Sequence, residues 1–188
     1  MRLKTTFGSA LVLAIMAPLG CSGQKAAESP QTDTMNHSTM TAEQHMAMHG
    51  SGDSSFAKMQ QRGQMAMGVD QYMSSHKFDI TSDGGRIELQ SDKDDSLAVA
   101  QIRAHLKLIQ HAFAAGDFST PAFVHAHDMP GTDVMARKAA AITYTYGDLP
   151  RGGEVRITTS DAEAKAAIAQ FLEAQRKEHR ASGSNPAH

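Results

Sequence analysis

Between Asp94 and Ala115 apolar residues recur at steps of three and four: Ala98, Ile102, Leu106, Ile109 and Phe113. That spacing puts them on one face of a helix. Asp94 and Asp95 stand where a carboxylate caps free N–H groups and meets the positive end of the helix dipole. Gly116 follows, a usual left-handed terminator. One residue breaks the apolar face: His105 lies beside Ile102, Leu106 and Ile109.

Elsewhere the period changes to two. His76, Phe78 and Ile80 alternate with polar residues, Asp83-Gly84-Gly85 signals a tight turn, and Ile87 and Leu89 alternate again. This predicts a β-hairpin leading into the helix. The pattern then returns. Ile142, Tyr144 and Tyr146 alternate, Gly147 to Gly153 holds the turn residues, and Val155 and Ile157 alternate. Asp161 opens a second helix through Ala164, Ala167, Ile168, Phe171 and Leu172. Asp95 and Asp161, Ile102 and Ile168, and Leu106 and Leu172 share one offset. The pairs Gly84-Gly85 and Gly152-Gly153 fit after a two-residue gap. The chain therefore reads as a duplicated strand–strand–helix unit. The expected fold is α+β: a two-layer sandwich with a four-stranded, mainly antiparallel sheet and both helices on one face. Opposite His105 stands Phe171. His76 shares the parity of Phe78 and Ile80, so two histidines from different elements aim at the covered face.

Between the halves, Gly116 to Gly131 is turn-rich and reads as an irregular connector containing His125, His127 and Met129. In extended chain these three share a face. Thr132 to Ala141 reads as a short helix carrying Met135. Phe56 to Met73 predicts a short helix or irregular lead-in, with Met65, Met67 and Met73 as core filler or metal donors. His111, His179 and His188 read as surface residues.

The amino terminus has a different character. Arg2 and Lys4 precede an apolar run from Phe7 to Pro18, too short to span a bilayer as a mature helix. Pro18-Leu19-Gly20-Cys21 resembles the lipobox of bacterial lipoproteins: Gly20 and Cys21 match, and Pro18 stands where Leu is usual. The resemblance implies a signal peptide over 1–20 and an acylated Cys21, which is the lone cysteine. Ser22 after it, rather than Asp, implies a periplasmic protein on an outer-membrane anchor. Residues 21–55 are rich in Ser, Thr, Gln, Gly and Ala, and predict a flexible tether that cannot bury enough apolar area to order itself. The domain is expected over 56–181 and a disordered tail over 182–188.

Composition sharpens the chemistry. The formal charge is −2, which gives no sign of a nucleic-acid partner. The chain holds 12 Met and 10 His, and the tether concentrates His37, His45, Met46, Met48 and His49. Imidazole and thioether suit copper in its two oxidation states, and such tracts resemble those of exported copper-handling proteins. The domain set His76, His105, His125, His127, Met129 and Met135 could add a defined site. The expected function is envelope-anchored metal binding, with copper as the cofactor in sequestration or delivery. The alternative is a non-catalytic interaction module for an envelope protein partner, using sheet residues Lys77, Asp79, Glu88, Thr143, Thr145 and Arg156. No serine elbow, phosphate loop or HExxH zinc motif is present, so no enzyme is expected. Taken together, Phe78, Gly84-Gly85, Ile102-Arg103, His105-Leu106, Gly116-Asp117-Phe118, Pro121, Val124-His125, Pro130-Gly131, Met135, Tyr144, Arg151-Gly152-Gly153 and Val155 resemble a group of small exported bacterial proteins of uncharacterised function. That resemblance implies export and a compact domain, and no reaction.

Overall fold

The computed structural model describes residues 54–186. Helix α1 (Ser54–Met67) leads in. Strands β1 (Ser74–Thr81) and β2 (Gly84–Ser91) form the first hairpin, followed by helix α2 (Ser96–Ala114). A connector with helices α3 (Ser119–His125) and α4 (Thr132–Arg137) leads to the second hairpin, β3 (Ile142–Leu149) and β4 (Gly152–Thr159). Helix α5 (Ala162–Glu178) completes the order. The strands form one antiparallel sheet in the order β1-β2-β4-β3. This is the expected α+β sandwich.

The duplication is visible in the register. At the sheet centre Ile87 pairs with Val155, flanked by Arg86 with Arg156 and Glu88 with Glu154. Ile87 and Val155 occupy the same place in their hairpins, so a local two-fold axis runs between β2 and β4. The helices obey it too. Asp95 caps α2 by accepting from the N–H groups of Leu97 and Ala98, and Asp161 caps α5 by accepting from Ala164. Each helix crosses over. α2 lies mainly on β3 and β4, and α5 mainly on β1 and β2. Gly85 permits the second of these contacts: a Cβ there would sit 2.1 Å from Leu172 Cδ1. Between the layers the buried core is apolar, with Leu89, Ile102, Val155, Ile157, Ile168, Phe171 and Leu172 almost without exposure.

Several local expectations change. Gly147 lies inside β3, and the second turn is made by Pro150 and Arg151, as Ser82 and Asp83 make the first. The connector is helical where an irregular chain was expected, because Ser119 to His125 places Pro121, Val124 and His125 on one buried side. The expected disordered tail also departs from its reading. Residues 182–185 run beside β1: the N–H of Phe78 donates to Ser182 O at 3.0 Å and that of Ile80 to Ser184 O at 2.8 Å. Ser184 in turn donates backbone N–H and hydroxyl to Asp79 Oδ1, each at 2.8 Å. Signal peptide, Cys21 and the tether up to residue 53 lie outside the described residues, while Ser54 and Ser55, expected in the tether, open α1.

Candidate metal centre

His125 is the last residue of α3. Ala126 follows in the left-handed conformation, φ 62°, which ends the helix and turns the chain back on itself. His127 thereby returns to the side on which His125 points. Opposite them is Glu178, the last residue of α5. Its Oε2 lies 2.6 Å from His125 Nδ1 and 3.3 Å from His127 Nε2. The His125 side chain is 1% exposed, Glu178 32% and His127 50%, so the cluster runs from core to solvent. Among the described residues, these three form the one group of His, Cys, Asp and Glu side chains placed to hold a metal ion, their ligand atoms within 4.8 Å of one another.

The partners of each ring define what it can do. His125 Nε2 is 3.1 Å from Gln175 Oε1; a half-turn of that amide would present its N–H instead and suit the other tautomer. His127 Nδ1 donates to the Asp128 carbonyl oxygen at 2.9 Å. That bond, aided by the Glu178 carboxylate against a smaller burial effect, raises the His127 pKa above its ordinary value. It also leaves Nε2 as the ligand nitrogen, oriented from behind as metal-bound imidazoles usually are. Two imidazoles and one carboxylate suit zinc, copper or iron and leave positions open for a further ligand.

Behind this cluster lies a cavity of about 70 Å³. Four imidazoles border it: His76, His105, His125 and His179. The His76 and His179 rings are 4.6 Å apart between centroids, and His179 and His125 5.0 Å. Burial, with a smaller effect of neighbouring His105 and His125, lowers His76 to a pKa of about 4. Burial lowers His105 to about 4 as well, against a hydrogen bond to the Ala66 backbone that works the other way. His179 is pushed well below the usual value by burial, then by His76 and His125. All three are neutral at pH 7.

The expected set is thus divided. His76, His105 and His125 do meet around one cavity, and His127 joins His125. Met129 and Met135 do not belong: they are 3% and 0% exposed within the hydrophobic core. The shared parity of Met129 with the histidines assumed an extended chain, which the α3 helix and the left-handed Ala126 replace. His37, His45, Met46, Met48 and His49 lie outside the described residues. Glu178 and His179 were missed. His179 read as a solvated helix end, yet at the helix offset it stands opposite Phe113, a core position. That correspondence was the available signal. No protein family matches the chain, and neither a characterised protein nor a solved structure shows significant similarity to it.

Proposed function

We propose that this protein binds a late transition metal at His125, His127 and Glu178, and that it serves in metal sequestration or delivery, with copper the first choice. The observation that carries this is the single Glu178 oxygen facing both imidazole nitrogens. An ion bound at about 2.0–2.1 Å from each ligand keeps ligand atoms roughly 3.3 Å apart. The His127–Glu178 spacing fits as it stands. The 2.6 Å contact of His125 is a hydrogen bond that opens when the ion replaces its proton. The Met/His tract from His37 to His49 would collect ions, and the lipobox-like Cys21 would fix the protein to the bacterial envelope, facing the periplasm. No helix among the described residues is long and apolar enough to cross a membrane.

The docking-module alternative draws less support. Asp79 on the far face of the sheet is already engaged by Arg86 Nη2 at 2.6 Å and by Ser184, and Arg86 also meets Glu154 at 2.9 Å. The test is titration of the full chain with Cu(II) and Zn(II), followed through the ring signals of His125 and His127 by nuclear magnetic resonance. One ion should move both together. His127→Ala and Glu178→Gln should each weaken the domain affinity at least tenfold. Unmoved rings, or variants that bind as the parent does, would reject the site.

A further inference from the structure

The two-fold axis allows a comparison between the ends of the core. Hairpin register makes Tyr144 the counterpart of His76. Counted from the capping aspartates, Phe171 is the counterpart of His105 and Phe113 that of His179. At one end of the sandwich the three positions hold Tyr144, Phe171 and Phe113. These pack edge to face, with Phe113 5.9 Å from Tyr144 and 5.8 Å from Phe171. At the other end the same three places hold only imidazoles. The fold accepts flat rings there, and the two phenylalanines fill their places with no polar atom, although the Tyr144 hydroxyl beside them is buried without a partner among the described residues. The three imidazoles keep some exposure and none of their nitrogens is a buried atom without a partner, so what packing leaves unexplained is the exchange of all three rings for a metal-ligating type.

Their nitrogens are also underused. His105 bonds the Ala66 backbone. His76 makes ring contacts with Phe78 and His179, and His179 with Phe78 and His125. Neither ring has a hydrogen-bond partner among the described residues, and both border the cavity. Met67 stands in the same wall. Two imidazoles bound to one ion at about 2 Å per nitrogen have ring centroids roughly 4.5–6 Å apart. The 4.6 Å separation of His76 and His179 lies at the narrow end of that range and is also an ordinary ring-packing distance, so an ion with a third donor would spread the two rings by roughly 1 Å.

We propose that His76 and His179 ligate a soft monovalent cation, Cu(I), inside this cavity, with the Met67 thioether as third donor. The site is distinct from the His127–Glu178 cluster and touches it only through His125. Charge selects the oxidation state. The cavity wall offers no carboxylate, and the cost of moving an ion out of water grows with the square of its charge. A divalent ion therefore stays outside with Glu178. Neutral imidazole and thioether are the donors a soft d10 ion prefers.

The test uses Ag(I) as a redox-inert stand-in, added to the full chain beyond what the Met/His tract takes up. Ring nitrogen signals of His76 and His179 should shift together, and should do so equally in a His127→Ala variant. Zn(II) should move His125 and His127 and leave His76 and His179 in place. His76→Phe, which puts a phenyl ring where the other end holds Tyr144, should abolish the Ag(I) response of His179 while keeping the melting temperature. Met67→Leu should weaken Ag(I) binding at least tenfold. Ag(I) that leaves His76 and His179 unmoved in the parent chain overturns the proposal, whatever the variants do. Zn(II) that fails to move His127 overturns the outer site alone.

Discussion

At the scale of single residues, the histidines divide by environment. His76 and His105 have folded pKa values of about 4, against about 6.5 in the unfolded chain. Above pH 6.5 both are neutral in either state and add no pH dependence. Between about pH 6.5 and 4 the unfolded chain binds more protons, so stability falls as the solution is acidified. Each imidazole removes up to about 3 kcal/mol by the time pH reaches 4. Urea midpoints at pH 7 and pH 5 should differ clearly, and His105→Phe should narrow the gap. A midpoint that stays constant over this range would mean that these rings are hydrated in solution. His127 has the opposite sign. Its raised pKa means that a proton competes with the ion, so affinity at the outer cluster should fall as the solution is acidified. Isothermal titrations at pH 6 and pH 8 measure this directly.

At the scale of elements, the close contact of α5 with the first hairpin is set by what Gly85 lacks. An added methyl would meet Leu172 Cδ1 at 2.1 Å and the Asp79 carbonyl at 2.8 Å. Gly85→Ala should cost about 1–3 kcal/mol, read from thermal melts. The periodicities that build these elements were legible in the sequence. Alternation defined both hairpins, the aspartate caps defined the helix starts, and the shared offset joined them into a repeat. The connector was not legible. Pro121, Gly116 and Gly131 read as loop punctuation, although Pro121 sits within the first turn of a helix, a place that tolerates it. That one misreading hid the geometry by which Ala126 turns His127 back toward Glu178. His179 was hidden for another reason. A cation-capable ring at a helix end suits solvent as well as core, and the tertiary contacts with His76 and Phe78 decide between them.

At the scale of the whole molecule, the C-terminal segment closes a sheet edge. By pairing with β1, residues 182–185 cover backbone groups that would otherwise offer a template for another chain. They also supply Asp79 with partners. Burial alone would raise the Asp79 carboxyl, but hydrogen bonds from Arg86 and Ser184 outweigh it and hold the pKa below the usual carboxylate value. Truncation after Ala181 should cost about 1–3 kcal/mol at pH 7, because a buried acceptor loses its donors. It should also increase self-association, measurable by sedimentation. Unchanged stability and unchanged sedimentation would make the tail a passive passenger.

The crossing of the helices has one more consequence, which concerns ancestry. A single strand–strand–helix unit cannot cover its own sheet, since its helix sits over the hairpin of the other unit. Such a half could fold only as a symmetric pair, with each copy lending its helix to its twin. In that pair every substitution is made twice, so an exchange of aromatic rings for imidazoles would strike both ends of the core at once. Only fusion into one chain frees the two ends to diverge. The phenyl end can then go on holding the fold together while the imidazole end specialises.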